Sequence, residues 1–200
     1  MSKLLLATNN PGKLVEIQAL LQDLAVTLVS PAQLGLELEV DENGQTYAEN
    51  AGLKSQTFAR ASGLLTLADD SGLEVDALGG LPGIRSARFA PQPKATDADR
   101  RAYLLQRLQG MPRPWPARFR CVIALSTPTG ELQYAEGICP GIIIPEERGQ
   151  NGFGYDPIFL IPELGRTMAE LSMEEKNRLS HRARAVMAAR PILYKLLTNH

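Results

Sequence analysis

Leu67-Ala68-Asp69-Asp70-Ser71-Gly72-Leu73 is the stretch from which the fold can be read. An apolar run, Leu64-Leu65-Thr66-Leu67-Ala68, leads into it and reads as a strand; two acids, a hydroxyl and a glycine then stand side by side. In a parallel or mixed α/β sheet, chemistry collects just past the carboxyl ends of strands. The expectation is a strand ending near Ala68 that delivers Asp69 and Asp70 into a loop. Adjacent strand residues point to opposite faces, so the two carboxylates should not share a job. One faces a crevice while the other caps a turn or pairs with the scaffold. A plain polar turn between two strands is the alternative.

Toward the N-terminus, residues 4–7 read as a short buried strand, broken by Thr8-Asn9-Asn10-Pro11-Gly12-Lys13. Leu14, Ile17, Leu21 and Leu24 then recur at helical spacing. A polar loop ending in Lys at a helix start offers N–H groups, a hydroxyl and an ammonium, which suits phosphate. It lacks the Walker A pattern, so an ordinary strand-to-helix turn stays open as the alternative. Residues 26–29 read as a second strand. The acidic run Glu37, Glu39, Asp41 and Glu42 follows, and Thr46-Tyr47-Ala48-Glu49 matches a capping box opening a helix that carries Asn50 and Lys54.

Toward the C-terminus, residues 73–78 alternate like a second, half-exposed strand, and Thr96 opens a helix with Leu104 and Leu108 inward. Met111-Pro112-Arg113-Pro114-Trp115-Pro116 is too proline-rich for regular structure and reads as a joint between lobes. Residues 119–125 and 132–139 read as a hairpin, with Ile142-Ile143-Ile144 as a further short strand. Gly152-Phe153-Gly154-Tyr155-Asp156 pairs two aromatics with an acid, a pattern suited to stacking on a flat base and accepting a hydrogen bond at its edge. A glycine-rich turn pinned by buried rings fits it equally well. Residues 158–161 read as a strand, Ser172 opens a helix carrying Lys176, and Ser180-His181-Arg182 interrupts it before a last helix containing Pro191.

Two hundred residues with 44% hydrophobic content can bury a full core. A formal charge of −1 gives no global case for nucleic acid or a membrane surface. No stretch is long enough to span a bilayer. Cys121 and Cys139 lie in apolar runs, as buried thiols in a reducing, cytoplasmic compartment would, and with only His181 and His200 no Cys/His zinc pattern forms. Lys13, Lys54, Lys176 and Arg182 are cations for phosphate or keto oxygens, and Asp41, Glu42 and Asp70 are hard oxygen ligands suited to Mg²⁺. Together with Phe153 and Tyr155 they spell a Mg²⁺-dependent enzyme acting on a nucleoside polyphosphate.

Seven motifs, in order, resemble those of the inosine triphosphate pyrophosphatase family, also called Ham1-like or RdgB-like. They are A-T-N-N-P-G-K at 7–13, A-E-N-A-x-x-K at 48–54, A-D-D-S-G-L at 68–73, G-G-L-P-G at 79–83, G-F-G-Y-D-P at 152–157, E-E-K at 174–176 and S-H-R at 180–182. The first departs from the family's T-G-N by having Asn9, a residue that tolerates left-handed backbone. The resemblance implies one α/β domain over residues 1–200, two-lobed, with an elongated central mixed sheet flanked by helices and a substrate cleft between lobes. It implies a cytoplasmic homodimer hydrolysing ITP, dITP and XTP to the monophosphate and pyrophosphate, with no nucleic-acid or membrane partner. Residues 8–13 would hold phosphates, assisted by Lys54 and Lys176. Asp70 would be general base and metal ligand, and Ser71 a substrate contact. Asp41 stands where the family has a metal-binding Glu, with Glu42 beside it. Phe153, Gly154, Tyr155, Asp156, His181 and Arg182 would bind the base, and Arg182, a pure donor, would accept a keto purine and refuse adenine. A pyrophosphatase for other nucleotides and a non-hydrolysing nucleotide sensor are the rival readings.

Overall fold

The computed structural model describes residues 2–198; His200 lies outside them. In chain order the elements are β1 (Lys3–Leu6), α1 (Pro11–Leu21), β2 (Thr27–Val29), α2 (Tyr47–Ser62), β3 (Leu65–Val75), α3 (Asp97–Leu108), β4 (Trp115–Ser126), β5 (Leu132–Ile143), β6 (Phe159–Ile161), β7 (Arg166–Thr167), α4 (Met173–Leu179) and α5 (His181–Thr198). The seven strands form one mixed sheet in the order β2-β1-β3-β4-β5-β6-β7. β1 runs parallel to β2 and β3, whereas β6 is antiparallel to β5 and β7. The expected mixed α/β sheet with flanking helices is present.

Three expectations need correction. β3 does not stop at Ala68; it runs unbroken through Asp69-Asp70-Ser71-Gly72 to Val75. Composition made that stretch look like a loop, but both carboxylates are buried and bonded, so the strand can carry them. Leu6 pairs with Leu67, and the Ala7 amide bonds to the Leu67 carbonyl, so it is β1 that stops, and Asp69 and Asp70 lie just beyond its carboxyl end. Second, the short strand expected at Ile142-Ile143-Ile144 is the end of β5. Third, His181 and Arg182 do not precede the last helix but begin it. Two-residue β7 went unforeseen, being too short to show a period.

The chain divides into two compact units. The first comprises Met1–Asp70, Cys121–Gly137 and His181–His200, and the second Ser71–Arg120 and Ile138–Ser180. Met111 to Pro116, expected as a joint, fall inside the second unit, where Trp115 already starts β4. Within the first unit, strand alternation sorts the core. Leu4, Leu6, Leu65 and Leu67 pack with Ile17 and Leu21 of α1 and Val186, Ala189 and Leu193 of α5. Leu5 and Ala68 point the other way, to Phe58 of α2. The second unit has its own core, built from Leu73, Val75, Leu104, Leu108, Phe119, Tyr155 and Phe159.

Candidate active site

The two faces of β3 give its two acids different surroundings, as alternation requires. Asp69 continues the Leu65–Leu67 face toward α1 and α5. Its Oδ2 lies 3.0 Å from Lys13 Nζ and 3.4 Å from Arg182 Nε, and Arg182 also bonds Glu16 of α1. All of these side chains except Lys13 are fully or nearly fully buried. Burial alone would raise the Asp69 carboxyl, but Lys13, Arg182 and Lys54 overcome it and hold it well below the ordinary carboxylate range.

Asp70 lies on the opposite face, toward α2. Asn50 donates from Nδ2 to Asp70 Oδ2 at 3.1 Å, and its own Oδ1 accepts the Gly44 amide at 2.8 Å. Asn50 is thereby locked in orientation at the end of the acidic loop. Here burial prevails: it raises the Asp70 carboxyl against the lowering effect of Lys13, Asn50 and Lys54, and the Glu42 charge pushes the same way. Two adjacent carboxylates are driven apart in proton affinity, the pattern by which folds divide acid–base roles.

Lys13 is set by the start of α1 and Lys54 by the body of α2. Asn10 caps α1 by accepting the Lys13 amide at 3.1 Å, Thr8 Oγ1 accepts the Asn10 amide at 3.2 Å, and Pro11 occupies the first turn where no N–H is needed. Asn9, Asn10 and Pro11 are exposed, with Thr8, Gly12 and Lys13 half-buried. Thr46 caps α2 by accepting the Glu49 amide, but Glu49 reaches back to Gln45 rather than Thr46, so the expected capping box is displaced by one residue. On α2, Lys54 donates to the Asp69 carbonyl at 3.1 Å and pairs with Glu42. Burial opposes the Lys54 charge, yet Asp69 and Glu42 raise its proton affinity. Asp41 is exposed, and Ser71 follows Asp70 directly.

Phe153, Asp156 and Lys176 form a second group, within the other unit. Lys176 Nζ, buried, lies 2.7 Å from Asp156 Oδ2 and 5.1 Å from the centroid of the Phe153 ring. The same Asp156 oxygen accepts the Phe153 amide at 3.0 Å. A Cβ on Gly152 would sit 2.1 Å from that oxygen, so only glycine fits there. Tyr155 is buried, its hydroxyl donating to the Ser86 carbonyl at 2.9 Å, and it belongs to the core, whereas Phe153 is half-buried with Lys176 over its ring. Lys176, expected to assist the phosphates, stands with the expected base-binding residues. His181 and Arg182 belong instead with the first unit, where the start of α5 sits so close to β5 that a Cβ on Gly137 would be 2.2 Å from the His181 carbonyl. Glu16 and Asn50 completed these clusters unforeseen as partners. An acid at helical spacing on an apolar face was the available signal for Glu16.

Among the described residues no three His, Cys, Asp or Glu side chains converge as a metal site. Asp70 and Glu42, close enough for the Glu42 charge to act on Asp70, are oxygen donors of the kind a hard cation takes when one or two carboxylates are completed by phosphate and water.

The sequence profile of the Ham1 family matches residues 4–192. The chain belongs to the Ham1 family. It is 50% identical over 195 residues to the dITP/XTP pyrophosphatase of Desulforamulus reducens, covering 97% of this chain and 96% of that protein. It is 43% identical to the dITP/XTP pyrophosphatase of Bacillus subtilis over 93% of this chain and 94% of that one. Among solved structures, the HAM1 protein from Coxiella burnetii superposes with TM-score 0.88 at 40% identity, over 98% of this chain and all of that one. The Staphylococcus aureus Ham1 protein gives 0.85 at 40% identity, covering 97% and 99%. Membership brings a nucleotide substrate and, as usual in the Ham1 family, divalent-metal dependence. No described helix is long and apolar enough to cross a membrane.

Proposed function

We propose that this Ham1 protein hydrolyses ITP, dITP and XTP to the nucleoside monophosphate and pyrophosphate, clearing non-canonical purines from the nucleotide pool. The observation that carries this reading is the contrast at β3: Asp70, raised in proton affinity and oriented by Asn50, beside Asp69, lowered and locked to Arg182 and Lys13. A carboxylate held in that way can accept the proton of the attacking water, while its neighbour keeps the cations in place. Lys13, the helix start at residues 8–12, Ser71 and Lys54 take the polyphosphate, whose charge is stabilised by donors that need not reorganise.

Asp70 and Asp41 would hold Mg²⁺. Glu42 is already neutralised by Lys54, whereas exposed Asp41 has a carboxylate to offer. When bound, the ion spreads the developing charge on the triphosphate.

Phe153 stacks on the base, and Lys176 supplies the donor for its keto oxygen. Arg182 fits that task less well, because its guanidinium already serves Glu16 and Asp69. Against adenine, an ammonium faces an amino donor and loses a partner, which penalises the wrong base. Gly154, Tyr155, Asp156 and His181 shape the surroundings. The enzyme acts in the cytoplasm as a homodimer.

Pyrophosphate release measured over dITP, XTP, dATP, dGTP and dUTP with Mg²⁺ tests the reading. Preference for dITP and XTP supports it; preference for dUTP or dATP, or binding without release, overturns it.

A further inference from the structure

One helix holds the backbone of Gly154 at both its N–H and its carbonyl. Asp97 Oδ2 accepts the Gly154 amide at 2.7 Å, and Arg101 Nη1 donates to the Gly154 carbonyl at 2.9 Å. Asp97 and Arg101 are one helical turn apart on α3, so they lie on one face. Each is secured in turn. Arg101 forks onto Glu147, with Nε 2.8 Å from Oε1 and Nη2 2.9 Å from Oε2. Asp97 pairs with Arg100, whose Nη1 also donates to the Ala95 carbonyl at 2.6 Å. The Asp97 carboxyl is lowered: burial opposes its charge, but the Gly154 amide and Arg100 outweigh burial.

With both backbone polar groups of Gly154 bonded to α3, neither is the natural contact for a ligand. What the grip does is orient. Gly154 has φ +63° with open space where a Cβ would stand, so the backbone turn, not crowding, calls for glycine. On one side of it, Tyr155 is anchored to Ser86; on the other, the Phe153 amide is tied to Asp156. The Phe153 ring, with Lys176 over it, is carried by a backbone bonded at Phe153 and Gly154 and followed by the anchored Tyr155 side chain.

We infer that Asp97 and Arg101 are positioning residues for base recognition: through the Gly154 peptide they set the plane of the Phe153 ring without touching substrate themselves. The inference rests on Phe153 being the stacking ring. It predicts that loosening the grip weakens ligands that carry a base and spares those that do not. Losing a charge-assisted hydrogen bond of this kind changes an equilibrium roughly tenfold.

The test is steady-state hydrolysis of dITP by Arg101→Ala, Asp97→Ala and Asp97→Asn, alongside inhibition by inorganic tripolyphosphate, which has no base. The two alanine variants should raise KM for dITP roughly tenfold, with kcat within about twofold and tripolyphosphate inhibition unchanged. Asp97→Asn, whose amide oxygen still accepts the Gly154 N–H, should recover most of the loss. KM unchanged in the alanine variants, or kcat, KM and tripolyphosphate inhibition all worsening together, overturns the inference. Phe153→Ala separates the two levels. If it leaves KM for dITP unchanged, the stacking assignment itself falls; if it raises KM while Arg101→Ala and Asp97→Ala do not, only the positioning role falls.

Discussion

Arg182 and Asp69 meet in the interior of the first unit across 113 residues of sequence, with Nε and Nη2 each 3.4 Å from the same carboxylate oxygen. Both are almost wholly buried. A charge in that position is tolerated only while its partners remain, because the desolvation cost persists when the attraction is removed.

Asp69→Asn should therefore destabilise the protein by about 3–5 kcal/mol, the usual cost of breaking a buried pair from one side. The Asp69 carboxyl is depressed in the fold, so its contribution is present above the ordinary value of 3.8 and lost as pH falls toward the depressed one. Urea unfolding between pH 7 and pH 2.5 should show wild-type stability declining below about pH 4 and a flatter acid limb in the variant. Parallel acid limbs would mean that another group titrates.

Asp70→Asn should do the reverse. Turnover should drop on the order of 10²-fold or more for loss of a general base. Stability should hold or rise, since burial raises this carboxyl and a neutral amide avoids the penalty. In the wild type, kcat/KM should fall on the acid side with a midpoint above 3.8, because a base works only after losing its proton and this one loses it late. Near-normal turnover in the variant would remove Asp70 as the base.

Base selectivity should follow Lys176. Lys176→Met should lower kcat/KM for dITP on the order of 10²-fold and leave the poor dATP activity nearly unchanged. Arg182→Met should lower both together, through stability. The opposite outcome, selectivity lost at Arg182 and kept at Lys176, would move base reading to the start of α5.

The metal ligands separate by titrating activity with Mg²⁺. Asp41→Asn should raise the concentration needed roughly tenfold or more, since even outer-shell changes at metal sites cost that much. Glu42→Gln should instead weaken substrate affinity at saturating metal, because it releases Lys54. Equal shifts in metal demand would make both residues ligands.

The sequence carried the architecture well where the period was regular. Alternating Leu4, Leu5 and Leu6 announced a strand buried on both faces, and Thr96 and Ser172 each begin a helix as expected, each with a reciprocal cap. It misled where composition and period disagreed. Asp69-Asp70-Ser71-Gly72 has the makeup of a loop, yet the two-residue alternation from Leu65 continues through it. Following the period would have found the long strand. Partnerships such as Arg182 with Glu16, 166 residues apart, leave no local mark, since either residue alone looks like a surface charge. The neighbours of Lys176, Phe153 and Asp156, leave no local mark for the same reason: a lysine's type fits phosphate and keto oxygen alike.

The first unit is assembled from three separated stretches of chain, and α5 is the last described piece to be made. On the ribosome, β1, α1 and β3 emerge long before Arg182 does. Until it arrives, Asp69 and Glu16 have no guanidinium to face, and Leu4, Leu6 and Ile17 lack the cover of Val186 and Leu193. Vectorial synthesis thus leaves the nascent first unit with open apolar surface and two acids on one face. A ribosome stalled before residue 181 should display that unit in a protease-sensitive state, and completion of α5 should close it.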